Sequence, residues 1–505
     1  MYEWISLQSS ADIGKLVGVI TPEYNPEDVA KKLAAGISDA VKAVLVESDY
    51  VDKDYRSTYY QFYAKKGMKY RADCMRLHFF DGTVSFDKDS YTLKTASGDD
   101  LSHHYFGYMV LRPTGIATIG RSVVSPDVRR GATGQVISAK HKVHLLGYKL
   151  HVEGFPSMQQ HVDISVCAHV ACWSILRHYS ERYSVHGEHL THDVTLMAQQ
   201  FNPGGLVPSK GLEVSHAERV FQEAGTFPIH VAKAGADDPA FYRQLLAYVE
   251  SGFPLFAAMH RRAHAIAVAG YEWDAAGAKT PASLWDKVKS ALGSTPSPSL
   301  QYAWEKVKSL VAVDDNHLPY LRIPATAPDP SVGPTYTARD IDAFIVALPE
   351  KIYYPADAVD KFAPMLLRIP LLELPPADQT VIRYFITTGA ALRHFVRNHI
   401  SAFDPKLVES IMTLPFPQFL WIVEYATEDQ WAVGQITGRV VIDATASLRE
   451  YLPLWLVHSR KMALLFDRQS VNPDQSATAK WLPLSGMEAT AQVRMEQNLR
   501  PIQAK

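Results

Sequence analysis

Cys167, His264 and Asp314 are the residues of this chain whose types and surroundings suit nucleophilic catalysis. Cys167 lies in QQHVDISVCAHVACWSILRHY, Gln159 to Tyr179, where a polar loop gives way to a predicted helix. From Ala168 onward the stretch lacks Gly and Pro, and Val170, Trp173, Ile175 and Leu176 fall on an apolar helical face. A thiol at a helix N-terminus meets the positive end of the macrodipole and the unpaired first-turn N–H groups, and both stabilise thiolate over thiol. The same N–H groups can form part of an oxyanion hole, to which the side-chain amide of Gln160 or Gln159 can add a donor.

A cysteine by itself is most often a buried packing residue, so this chemistry needs a base. SGFPLFAAMHRRAHAIAVAGYEW supplies one: Phe253 to Met259 and Ala265 to Tyr271 are apolar runs of strand length, and His264 opens the second. A histidine at the mouth of a buried strand is badly placed to pack and well placed to face a cleft. In SLVAVDDNHLPYLRI a third short strand, Leu310 to Val313, stops at Asp314, Asp315 and Asn316. A carboxylate there can accept the second imidazole N–H, fix the tautomer and aim the ring at the thiol. Consecutive strand residues point to opposite faces, so one of Asp314 and Asp315 is expected to face the ring.

With these residues in view the chain resembles the papain-like cysteine peptidases, which share the order cysteine, histidine on a strand, then Asp or Asn at the end of the next strand, with a glutamine before the cysteine. The wording is most similar to the peptidase domains that cut double-glycine leaders in bacteriocin exporters. Their cysteine helix ends in Leu-Arg-Tyr-Tyr, against Leu176-Arg177-His178-Tyr179 here, and GLEVSHAERVFQEAGTFPIHV, SGFPLFAAM and HAIAVAGY continue the likeness. It covers about 159–354. The resemblance implies Cys167 as nucleophile, His264 as base, Asp314 as orienter at the first post-strand position, and Gln160 as oxyanion donor. It also implies a peptide or protein substrate. The longer separation of His264 and Asp314 is attributed to an insertion.

Two other assignments compete with this one. Cys172 precedes Trp173, itself a papain-like signature, but it lies more than a turn inside the predicted helix, where its amide is already bonded. His260 and His264 stand four apart like zinc ligands, yet Arg261 occupies the position where a zincin has glutamate, and the flanks read as strands, so no metal is expected. His186, His189 and His192 read as exposed loop. Without a Walker loop or GxGxxG there is no sign of a nucleotide cofactor, and none is expected.

Composition sets the outer limits. The 505 residues suit two to four domains, and with 47% hydrophobic and 21% charged residues the chain has ample core-forming material. A formal charge of −2 gives no electrostatic case for nucleic acid or anionic membrane. No apolar run is long enough to span a bilayer, the N-terminal residues lack a secretory pattern, and three cysteines make no disulfide framework, so a cytoplasmic location is expected.

The expected fold class is α+β: a papain-like module of a helical half and an antiparallel sheet half at 151–355, a β-rich domain at 1–150, and a small α+β region at 356–505 ending in an extended tail. A helix is predicted from Asp28 to Val46, a hairpin around Asp81-Gly82, and a solvated tyrosine face in DYVDKDYRSTYYQFYAKKGMKY. About 274–309 reads as an insertion of two short amphipathic helices around a Ser/Pro linker. In the last region Asp443 and His458 read as isolated surface or turn residues. The function expected is a thiol hydrolase, a cysteine peptidase cutting a peptide or isopeptide bond through a thioester. The rivals are a transglutaminase-like acyltransferase and an inactive papain-like module that binds peptides.

Overall fold

The chain, seen in a computed structural model, is α+β and is described over residues 1–160, 167–198, 212–274, 300–327, 334–448, 453–466, 479–485, 492–495 and 498–503. Strands β1 (Tyr2–Ser6), β2 (Ala43–Tyr50), β3 (Cys74–Phe80), β6 (Tyr105–Leu111) and β7 (Ile119–Val124) form one antiparallel sheet, with β4 (Val84–Asp87) and β5 (Thr92–Thr95) paired beside it. Asp81-Gly82 therefore turns the chain toward a β4–β5 ribbon rather than closing a hairpin on β3. Helix α1 (Pro26–Gly36) is shorter than the sequence suggests, because AVLVESDY buries Val44 and Val46 on one face and Ala43 and Leu45 on the other and is taken up as the inner strand β2. Helix α2 (Lys53–Gln61) replaces the expected solvated tyrosine face: Tyr55 and Tyr63 are buried, while Tyr60 remains exposed.

Strands β8 (Gln135–Val136), β9 (Ala139–Leu145) and β10 (Tyr148–Gly154) lead to helix α3 (Cys167–Arg182), α4 (Thr191–Met197) and α5 (Val214–Glu223). The chain then runs through β11 (Phe227–Ala232), α6 (Pro239–Glu250), β12 (Leu255–Met259) and β13 (His264–Trp273). β14 (Gln301–Tyr302), β15 (Val307–Val313), β16 (Leu321–Pro324) and β17 (Ala343–Leu348) follow. The central sheet has the order β11-β17-β12-β13-β15-β16, antiparallel throughout, with β8 added alongside β13. Gly270 admits that addition, since a Cβ on it would come 2.1 Å from the Gln135 carbonyl oxygen. The expected second helix of the insertion is absent. Residues 303–306 form one 3-10 turn, and Val307 onward alternates as a strand, with Lys308 exposed between buried neighbours. The first helix of that insertion lies outside the described residues.

Helix α3 is buried from Ala168 to Tyr179. Such a helix suits the centre of a layered fold rather than a surface, and α3 packs against β12 and β13 while also meeting β9. Two polar ties set its position. Tyr179 Oη donates to the Ala347 carbonyl of β17 at 2.6 Å. On the N-terminal domain, buried Asp54 of α2 accepts from Trp173 Nε1 at 2.9 Å and Arg177 Nη2 at 3.1 Å. Asp54→Ala would leave the buried Arg177 short of a carboxylate; it is expected to destabilise the unit holding α3 by about 3 kcal/mol. A urea midpoint equal to that of the wild type would count against this tie.

The last region forms β18 (Val381–Thr388), β19 (Phe419–Ala426), β20 (Gln435–Ile436), β21 (Gly438–Asp443), β22 (Leu454–His458), β23 (Met462–Phe466) and β24 (Ala479–Pro483). All but β20 join, with β14, a seven-stranded sheet flanked by helices at Ala356–Leu366, Gly389–Asn398 and Pro405–Thr413. Asp443 and His458 are not surface residues; they are 7% and 0% exposed on adjacent strands. The tail is not simply extended surface chain either: β25 (Gln492–Val493) pairs with β20, and β26 (Arg500–Pro501) returns to β8. These strands cross the expected boundaries near 150 and 355. One hydrophobic core runs from Ala132 to Met462, with α6 packed against both β13 and β18. Inside it Arg383 bridges Glu250 and Glu424, and Arg439 also bonds Glu424. The C-terminal sheet is thus joined to the central one rather than appended to it.

Candidate active site

The site is assembled where α3 begins and β13 and β15 meet. Cys167 is the first residue of α3 and is half-buried, so its backbone N–H belongs to the first turn, whose amides have no intrahelical acceptor. His264 follows a tight connection, His260–Arg262 with Ala263 in the left-handed region at φ 47°, and pairs with Met259 at the very start of β13. The register between β13 and β15 sets Ala267 against Val313. The next position, Asp314, falls level with Ile266, on the face that His264 shares two residues away. The carboxylate thus reaches the imidazole diagonally.

That contact is a hydrogen bond of 2.9 Å between His264 Nε2 and Asp314 Oδ2. It leaves Nδ1 free of Asp314, and Cys167 stands close enough to His264 to help raise its pKa. Burial by itself would lower the His264 pKa, but the interactions with Asp314 and Cys167 outweigh it and raise the imidazole to about 10. Asp314 is 2% exposed. Burial opposes its charge, yet the bonds from His264 and His317 and the charge of the imidazole hold it well below the usual carboxylate range. Its other oxygen accepts the Asn316 backbone N–H at 2.7 Å.

Asp315 is also buried, at 3% exposure, and its Oδ1 lies 3.9 Å from His264 Nε2. Burial and the adjacent charge of Asp314 push its pKa up to about 6. His264, Asp314 and Asp315 present atoms within 4.8 Å of one another, which makes them the set among the described residues able to hold a cation, although Nε2 is already bonded to Asp314.

The structure brings Cys167, His264 and Asp314 together. It does not do so for the glutamines. Gln159 is buried and its side-chain oxygen accepts the Ile119 N–H at 3.2 Å. Gln160 is half-buried, and among the described residues no hydrogen bond joins its amide to Cys167, His264 or Asp314; residues 161–166, which link it to Cys167, lie outside them. Two further residues contribute to the site. Tyr336 donates its hydroxyl to Asp314 Oδ2 and sets its ring edge-on to His264, 6.0 Å between centroids. Arg112, 2% exposed, donates to the Gln159 and Gln160 carbonyls at 3.0 and 3.3 Å and so anchors the loop ahead of the cysteine. No sequence signal marks either residue: Tyr336 belongs to no motif, and Arg112 follows strand β6, far from the cysteine in the chain.

Cys172 and Cys74 are both 0% exposed, and burial pushes each thiol well up. Cys172→Ala is expected to cost about 1 kcal/mol in packing and to leave the alkylation of Cys167 by iodoacetamide unchanged. Slower alkylation of Cys167 in a folded Cys172→Ala variant would count against a purely packing role for Cys172. Compared with family models, curated proteins and solved structures, the chain matches none. No helix among the described residues is long and apolar enough to cross a membrane.

Proposed function

We propose that this chain is a thiol hydrolase, a cysteine peptidase that cuts a peptide or isopeptide bond through Cys167, His264 and Asp314. The observation that carries the reading is a half-buried thiol at a helix N-terminus placed beside His264, whose ring is hydrogen-bonded to a buried carboxylate. The α3 helix packed on an antiparallel sheet, with thiol on the helix and imidazole at the strand mouth, supports the resemblance to papain-like cysteine peptidases over about 159–354.

In this mechanism an imidazolium beside the sulfur favours the thiolate, which attacks the acyl carbon. The oxyanion is met by the Cys167 backbone N–H and, from the sequence resemblance, by the Gln160 amide. His264 passes its proton to the leaving amine, a thioester forms on Cys167, and His264 then takes a proton from the water that resolves it. Asp314 keeps the ring aimed and the tautomer fixed throughout, with Tyr336 holding the carboxylate from behind.

The test is product mass. The chain is incubated with unstructured peptides, with and without an added primary amine. New peptide termini bearing one added water are expected, and they should vanish in Cys167→Ala. Amine adducts in place of hydrolysis would transfer the reading to an acyltransferase. Peptide binding without any product would make the site a recognition module.

A further inference from the structure

We propose that Asp315 is a second positioning residue, whose ionised carboxylate holds His264 as the imidazolium that faces Cys167. This rests on the reading of Cys167 and His264 as a thiolate and imidazolium pair. Asp314 and Asp315 differ in how their oxygens are used. Asp314 Oδ2 accepts from His264 and Tyr336, and its Oδ1 accepts from Asn316. Asp315 makes one side-chain bond, from Asn316 Nδ2 to its Oδ1 at 3.1 Å, and its buried Oδ2 has no hydrogen-bond partner among the described residues. A turn needs no such carboxylate, and an unpaired buried one is unfavourable unless a cation faces it.

Charged and titratable groups from several elements stand near Asp315. Its own turn brings Asp314 and His317, the latter 3.4 Å from Asp314 Oδ1 and 42% exposed at its side chain. The start of β13 brings His264, with Nε2 3.9 Å from Asp315 Oδ1. Beyond His264 stands Cys167, from α3. Tyr336 turns its hydroxyl to Asp314, and Arg262 lies against the Tyr336 ring at 5.8 Å while bonded to Asp340 at 2.9 Å. Among the described residues the cation paired with Asp315 is therefore the half-buried His264 imidazolium, 3.9 Å away. Asp314 supplies the directional hydrogen bond. Asp315 adds charge without a hydrogen bond to the ring.

The consequence is a particular pH dependence. Burial and the charge of Asp314 place the Asp315 pKa at about 6. As pH rises through that value Asp315 loses its proton, and a second negative charge appears behind His264, adding to the hold that Asp314 already has on the imidazolium. As pH falls through it, that support is withdrawn although Asp314 stays ionised.

Asp315→Asn keeps the shape of the side chain and removes only its charge. The rate of Cys167 alkylation by iodoacetamide, read by peptide mapping from about pH 4.5 to about 8, should show a step near pH 6 in the wild type. In Asp315→Asn that step should be lost, with alkylation about tenfold slower at pH 7. An unchanged profile, with the label still on Cys167, would overturn the role of Asp315 and leave the nucleophile assignment standing. No label on Cys167 in the wild type would instead remove the reading on which the inference rests. A second measurement needs no variant: the His264 ring protons, followed by NMR in the wild type, should shift near pH 6 as Asp315 ionises. A ring without an inflection there overturns the proposal even if Asp315→Asn fails to fold.

Discussion

Cys167→Ala is expected to lower peptide hydrolysis by at least about 10⁴-fold and to leave the fold in place. The size of the effect comes from covalent catalysis: without the sulfur no thioester can form, and the remaining oxyanion donors and binding contacts account for only a small residual rate. The fold should survive because the residue is half-buried at the first position of α3, where removing one sulfur opens little cavity. Retained hydrolysis in a folded Cys167→Ala protein would place the chemistry elsewhere. A loss of thermal stability large enough to unfold the chain would show that the thiol is a packing residue.

Asp314→Ala should lower turnover by about 10³-fold, equivalent to about 4 kcal/mol in the barrier. Two losses combine. The imidazole loses the acceptor at 2.9 Å that fixes its tautomer and direction, and the site loses the carboxylate that does most to keep His264 charged. Asp315 cannot replace it without moving, since its nearer oxygen is 3.9 Å from Nε2. The substitution also strands the Tyr336 hydroxyl and the Asn316 N–H, so a modest loss of stability should accompany the kinetic one. Wild-type turnover in Asp314→Ala, alongside an inactive Asp315→Ala, would exchange the two roles.

How far the sequence reveals this arrangement depends on the range of the contacts involved. The α3 helix and strands β12, β13 and β15 are legible because each has its own local pattern: helical spacing after Cys167, apolar runs of strand length, and abrupt polar ends at His264 and Asp314. Their assembly into one sheet follows once the runs are treated as strands. What is not legible depends on partners far along the chain. Asp54 looks like one acidic residue in a tyrosine-rich stretch, and only the approach of Trp173 and Arg177, more than a hundred positions away, makes it a buried anchor. The segment WEKVKSL misleads for a different reason: its two lysines suggest an amphipathic helix, but Val307, Ser309 and Val311 also alternate at strand period, and pairing with β13 and β16 decides in favour of the strand. The return of β26 to β8 leaves no trace in composition, because two residues of edge pairing need no pattern.

The most direct measurement is labelling of the native chain by a peptide bearing a thiol-reactive ketone at neutral pH, followed by peptide mapping of the three cysteines. One adduct per chain on Cys167 is expected, with labelling strongly reduced in His264→Ala and unaffected in Cys172→Ala. An adduct on Cys172 or Cys74, or labelling of Cys167 that proceeds equally well without His264, would contradict a thiol nucleophile activated by that imidazole.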